Sequence, residues 1–388
     1  MGGSGSGIRV EISSVTRDRA AALFLLRQPT SRQRRLGSVF HETKCTETNS
    51  KSVAEWCEKS EGILAVRHRQ PGWMAIIAVI LVCLWSRTGW CQYAPTSGPY
   101  KVLTVGNTVL HDPARNKNIP IKIYYPAALG RFPVIIFSHG AMASKDSYSG
   151  LGQYWTSYGY VSIHPSHADS VADSGFSGTL RQALSDPQGW KNRPEDVSFI
   201  IDSLAHVETF APQLVGKLDL RHIGVGGHSF GAYTAGLIGG TTILLPGKAA
   251  PQSFADKRVS AVVLLSPQGE GIMGLSARSW DAVRVPLLLM YGSRDFGPFG
   301  QEPVWRSEAF VKGPAGDKYE VELEGGTHMG FAGLFRDQGH RVQVFQCAQL
   351  ETLAFWDAYL KQDPKARQYV ESHGLQKFSG DIARFANK

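Results

Sequence analysis

The chain has 388 residues, of which 43% are hydrophobic and 10% aromatic, enough to fill a sizeable core and unlike a fibrous or disordered composition. Its net charge of +8 is concentrated near the N-terminus: residues 1–91 carry 13 Lys/Arg against 7 Asp/Glu, leaving 28 against 26 for the remainder. A body so nearly neutral has no basic stripe, which argues against a nucleic-acid partner.

Residues 1–73 begin with a Gly/Ser run at 2–7 and show no sustained hydrophobic period, so they read as a disordered or mis-called extension. Residues 74–85 (MAIIAVILVCLW) are an unbroken apolar run of 12, preceded by Arg67 and Arg69 and followed by Arg87. A membrane span needs about 20 residues, whereas the apolar centre of a signal peptide is about 7–15 long. With Gly89 and Cys91 at the small-residue positions, 74–91 is expected to be a signal peptide cleaved after Cys91, giving a periplasmic or secreted protein. The alternatives are an uncleaved anchor, with membrane association through 74–85, and a buried core helix. A lipid on Cys91 fits less well behind the bulky Trp90. Of the five cysteines only Cys347 lies beyond residue 91, so the body holds one thiol and no internal disulfide.

From Tyr93 onward strand-like and helix-like segments alternate. Strands are expected at 119–125, 133–137, 160–163, 222–226, 259–265, 286–291 and 319–323. Several are short continuous apolar runs, the pattern of strands buried on both faces of a parallel sheet. Between them, Pro194 opens a helix with Val197, Ile200, Ile201 and Leu204 on one face, another helix follows Ser229, and a last one spans about 342–360. This order predicts a doubly wound, mostly parallel α/β sheet of the α/β-hydrolase kind, one catalytic domain over 92–363, with 364–388 a short amphipathic tail.

Gly227-His228-Ser229-Phe230-Gly231 is the single G-x-S-x-G match, and it lies between a strand and a helix, the setting of a nucleophile elbow. The turn lifts the hydroxyl clear of the sheet, and side chains two residues to either side would collide, hence the glycines. A plain glycine-rich turn and a dinucleotide loop are the other readings; the latter lacks its third glycine. A serine needs a base to take its proton and a carboxylate to orient that base, in the chain order Ser, Asp/Glu, His. Asp295 follows the strand ending in Tyr291, at the carboxyl edge where sites of open sheets lie. Glu270 and Asp281 are rivals for this role. His328, flanked by Gly325, Gly326 and Gly330 on a loop before the last helix, suits the base, a context that His340 and His373 lack. Two backbone N–H groups should hold the oxyanion. One is that of Phe230; the other is assigned to Ala141, with Gly140 permitting the turn.

The segments FSHGAMASKDSYSGLGQYWTSYGYVSIHPSHADS, RPEDVSFIIDSL and HIGVGGHSFGAYTAG together resemble the platelet-activating-factor acetylhydrolases and predicted dienelactone hydrolases, and the broader group with cutinase-like polyesterases. The resemblance runs over about 95–360. It implies metal-free, cofactor-free hydrolysis of short-chain or oxidised acyl esters, small or lipid, with Ser229 as nucleophile, His328 as base and Phe230 and Ala141 as oxyanion donors. In the acetylhydrolases the acid follows the sixth strand; here that stretch reads LSPQGE, and Asp295 follows the more general hydrolase pattern. Dienelactone hydrolases use cysteine where this chain has serine. A peptidase or thioesterase of the same fold and a non-catalytic binding module are the alternative functions.

Met142, Phe296 and Met329 are expected to contact substrate, and Trp155, Phe299 and Phe331 either join them or pack in the core. His164, His167 and Asp169 lie on one loop without helical spacing, so they are expected to shape the pocket or tie the loop rather than bind metal.

Overall fold

The computed structural model describes residues 93–333 and 339–388. The run 74–85 and Cys91 lie outside them, and among the described residues no helix is long and apolar enough to cross a membrane.

In chain order the elements are β1 (Val102–Asp112), β2 (Lys117–Pro126), β3 (Phe132–Ser138), α1 (Ser149–Ser157), β4 (Val161–Pro165), α2 (Val171–Ser174), α3 (Leu180–Ser185), α4 (Pro187–Ser203), β5 (Leu218–His228) and α5 (Phe230–Ile238). A two-stranded ribbon follows, β6 (Thr242–Ile243) with β7 (Gln252–Ser253). Then come β8 (Val259–Leu265), β9 (Leu287–Gly292), α6 (Glu308–Lys312), β10 (Lys318–Leu323), α7 (His340–Tyr359), α8 (Pro364–Glu371), α9 (Gln376–Ser379) and β11 (Ala383–Asn387). The main sheet runs β1-β2-β4-β3-β5-β8-β9-β10-β11. Pairing is parallel from β4 through β10, and antiparallel where β1 meets β2, β2 meets β4 and β11 meets β10. This is the α/β-hydrolase fold.

Each expected strand is present, because a run such as Pro133-Val134-Ile135-Ile136-Phe137 can bury both faces only between helix layers. One layer packs on Val134, Ile136, Val225, Val262 and Leu289, the other on Ile135, Phe137, Val263, Leu288 and Met290. Gly224 and Gly226 leave room on the second face for α7: a Cβ on Gly224 would sit 2.7 Å from the Trp356 ring.

Three differences from expectation have physical causes. Helix α4 begins at Pro187, seven residues before Pro194. The Asp186 side chain accepts from the N–H groups of Gln188 (3.0 Å) and Gly189 (3.2 Å) and caps it, so Pro194 sits inside the helix rather than at its start. Strand β1, which is not among the expected strands, is an antiparallel edge strand broken by a register shift between Val105 and Thr108. The segment 364–388 supplies α8, α9 and the edge strand β11, which buries Ala366, Val370, Leu375 and Ala383 against the same core as α7.

Helix α7 also buries a carboxyl. Glu351 is 1% exposed with Oε2 unpartnered, and burial pushes its pKa up to about 8. The thiol of Cys347, one turn earlier, is pushed up to about 12 by burial and then by Glu351. A raised carboxyl favours the fold fully below the unfolded pKa and loses that contribution as pH climbs through the folded value near 8. Glu351→Gln is therefore expected to raise stability by about 1–3 kcal/mol at pH 8 and by little at pH 4. Urea denaturation at the two pH values checks it; equal changes at both would contradict it.

Candidate active site

Strand β5 ends at His228 and helix α5 starts at Phe230, so Ser229 alone makes the turn between them. It does so at φ 55°, ψ −119°, a conformation costing a non-glycine residue about 1–3 kcal/mol. The turn is held by the Ser229 N–H donating to the Leu265 carbonyl (2.9 Å) and by the Tyr233 N–H donating to the Ser229 carbonyl (3.1 Å). The flanking glycines are sterically required. A Cβ on Gly227 would overlap the Gly231 carbonyl, and one on Gly231 would overlap the Ser138 carbonyl. Because both obstacles are backbone, Gly231→Ala is expected to cost about 1–3 kcal/mol and to displace the loop after β3, lowering turnover with it. A melting curve and an esterase assay check this; wild-type values in both would contradict it.

Asp295 and His328 meet in space although 33 residues separate them: His328 Nδ1 lies 2.9 Å from Asp295 Oδ1. Asp295 sits in the turn after β9, where its N–H donates to the Gly292 carbonyl (3.0 Å). His328 starts a short 3-10 turn after β10, and Gly325 at φ 68° makes the bend before it. Gly292 and Gly326 bring the two loops together; a Cβ on Gly292 would strike the Gly326 carbonyl.

Asp295 is fully buried yet its carboxyl lies below the usual range. Burial alone would raise it. The hydrogen bond to His328 and the charge of Arg306 together outweigh burial. Arg306 is 1% exposed and its Nε stands 2.6 Å from Asp295 Oδ1. It also donates to the carbonyls of Asp295 (2.8 Å), Ser266 (3.0 Å), Pro267 (2.9 Å) and Phe296 (2.9 Å). One guanidinium thus ties the Asp295 loop to the end of β8. The rival acids are engaged elsewhere, Glu270 with Lys312 (2.9 Å) and Asp281 with Arg278 (2.9 Å). His373 stacks on Phe385, and the side chain of His340 lies outside the described residues.

The loop after β3 carries Ala141. Its sharp turn falls at Met142, φ 65°, not at Gly140 as the sequence implied. Gly140 is instead a point of close approach: a Cβ there would come 3.0 Å from Tyr148 Oη and 3.4 Å from His228 Nδ1. The Gly140 N–H donates to Tyr148 Oη (3.3 Å), whose hydroxyl is 2.8 Å from His228 Nδ1. His228 Nε2 is 2.9 Å from the His328 carbonyl. A carbonyl only accepts, so Nε2 carries the proton and Nδ1 accepts from Tyr148. Burial, then the nearby His328, hold His228 well below the usual histidine range, and burial pushes Tyr148 up to about 12, so both stay neutral. Residue 228 of the pentapeptide thereby links the Gly140 loop to the backbone of His328.

Ser229, His328, Gly140 and Ala141 line one mostly apolar cavity of about 410 Å³. Met142, Phe296 and Met329 line it too, along with Leu180, Leu184 and Gln268. Trp155 and Phe331 do not; both are fully buried in the core behind the site, and Phe299 is exposed beneath Arg181. His164, His167 and Asp169 do not converge. His164 Nε2 meets Ser162 Oγ (2.9 Å), His167 bridges Ser138 Oγ and Asp196 (2.9 Å each), and Asp169 pairs with Arg193 (2.8 Å).

Residues 96–239 match the chlorophyllase family model. The matched stretch contains the Gly140 loop and Ser229 and ends before Asp295 and His328. The platelet-activating factor acetylhydrolase of Cavia porcellus is 27% identical over 147 residues, 30% of this chain and 34% of that protein. The chain therefore spans about a third of the length of the curated relative it matches. The chain has the α/β-hydrolase fold, and in both comparisons what it is similar to is an ester hydrolase.

Proposed function

We propose that the protein is a serine carboxylic-ester hydrolase that cleaves short-chain acyl or lipid-type esters through an acyl-enzyme on Ser229. The observation that carries this reading is a buried carboxylate 2.9 Å from His328 Nδ1, with His328 and a strained serine on the wall of one apolar cavity. Asp295 accepts a hydrogen bond from Nδ1–H, which keeps that proton on Nδ1 and leaves Nε2 of His328 as the basic nitrogen. Nε2 takes the Ser229 proton as Oγ bonds to the ester carbonyl carbon. The carbonyl oxygen becomes an oxyanion, received by the N–H groups of Phe230 and Ala141. Neither donor has a protein acceptor among the described residues, the first because it opens a helix. His328 returns the proton to the departing alcohol as the C–O bond breaks. Water then repeats the sequence and frees the acid and Ser229.

Met142, Phe296 and Met329 supply apolar contact for the acyl or alcohol chain. A cavity of about 410 Å³ is of small-ligand size, which favours short acyl groups. Export by way of residues 74–85 belongs to the same reading. The test is a series of p-nitrophenyl esters from acetate to palmitate with the full chain. Turnover highest among the short esters supports the proposal, and no turnover of any ester by folded protein overturns it.

A further inference from the structure

Arg193 is 1% exposed, lies inside helix α4 and touches no substrate-facing surface of the cavity. Its guanidinium is instead packed against the back of both backbone groups assigned above to the oxyanion. Nη1 donates to the His139 carbonyl at 2.7 Å and reaches Ser138 Oγ at 3.4 Å. Nη2 reaches the Gly140 carbonyl at 3.4 Å, and the guanidinium lies 4.1 Å from the centre of the Phe230 ring. Asp169 anchors it through Nε (3.0 Å) and Nη2 (2.8 Å), and the same carboxylate accepts the Met142 N–H at 3.0 Å.

His139 adds to this clamp. Its Nε2 accepts the His167 N–H (3.0 Å), so in the neutral ring Nδ1 carries the proton and donates to the Gly140 carbonyl (2.6 Å). Burial, then the charge of Arg193, keep that ring neutral. The Gly140 carbonyl and the Ala141 N–H belong to one planar peptide and point in opposite directions. Three donors, Arg193, His139 and the Ala143 N–H (3.2 Å), draw the carbonyl away from the cavity and so turn the Ala141 N–H toward it. On the other side, the stacked Phe230 ring fixes the first turn of α5, whose leading N–H is the second donor.

We propose that Arg193 is the positioning residue of the oxyanion hole, setting both donors through His139, Gly140 and Phe230 without touching substrate. This rests on the hydrolase reading above. A planar fork with several donors is what the arrangement uses, and a lysine cannot reproduce it although it keeps the charge opposite Asp169.

The test is Arg193→Lys in the full chain, assayed on p-nitrophenyl butyrate beside wild type, with melting curves as the check on folding. Loss of a preorganised donor acts on the transition state, so kcat is expected to fall about 100-fold while KM stays within about 3-fold. An alkyl boronic acid, which forms a tetrahedral adduct on serine, should lose affinity in the same proportion as kcat. The pH dependence of kcat/KM should be unchanged, since Arg193 does not contact Asp295 or His328. A folded variant with kcat within about 3-fold of wild type, or one whose kcat, KM and pH profile all change together, would overturn the inference. If Arg193→Lys does not fold, Asp169→Asn carries the test: it removes the anchor but leaves the fork. A kcat about 10-fold lower at unchanged KM is then expected, and an unchanged kcat would overturn the inference. Wild type inactive on every ester would instead remove the hydrolase reading on which this one rests.

Discussion

Ser229→Ala is expected to lower kcat for p-nitrophenyl butyrate by about 10⁵–10⁶ while leaving the melting temperature close to that of wild type. The backbone bonds that hold the turn, from the Ser229 N–H to Leu265 and from Tyr233 to the Ser229 carbonyl, do not involve the hydroxyl. Alanine keeps them and meets the same positive φ at the same cost. The effect should thus appear in chemistry and not in folding. A folded Ser229→Ala protein that retained turnover would remove Ser229 from the reaction.

Asp295→Asn is expected to damage both activity and stability. Loss of the charge that orients and stabilises the His328 imidazolium should lower kcat by about 10⁴. It also leaves Arg306, 1% exposed and 2.6 Å from Oδ1, as a buried cation without its carboxylate, at a cost of about 3 kcal/mol or more. The pH dependence has a definite sign. The folded carboxyl of Asp295 is depressed, so its contribution is present above the unfolded carboxylate pKa and is lost as pH falls through the folded one. The stability gap between wild type and Asp295→Asn should therefore be full at pH 7 and narrow below about pH 4. Denaturant titrations across that range check it; a gap that widened in acid would contradict the assignment of Arg306 and His328 as the groups that hold the carboxylate ionised.

Much of this arrangement is legible in the chain. Continuous apolar runs such as 133–137 and 259–265 have no stable place except a sheet covered on both faces, and they give the strands to within a residue or two. The glycines around Ser229 carry a steric message that the Ser138 and Gly231 carbonyls explain. What was not legible depends on partners far away in sequence. Arg193 and Pro194 open the string RPEDV and read as a helix start, yet the helix is capped by Asp186, and Arg193 faces Asp169 and the His139 carbonyl. Arg306 sits in an undistinguished stretch, and only the folded chain brings it to Asp295. His228 reads as the variable position of the pentapeptide; its bonds run to Tyr148, 80 residues earlier, and to His328, 100 residues later. Trp155 and Phe331 show the converse. Aromatic residues next to site loops read equally as pocket or core, and here the core takes both.

The central claim is that Ser229 becomes covalently acylated, and the most direct test is to trap it. The full chain would be incubated with an alkyl fluorophosphonate, digested and mapped by mass spectrometry, with Ser229→Ala in parallel. Phosphonylation of one serine per chain, located at Ser229, in step with loss of esterase activity and absent from the variant, is the predicted result. Esterase activity that survives the reagent, or a label on another residue of active folded protein, would contradict the account.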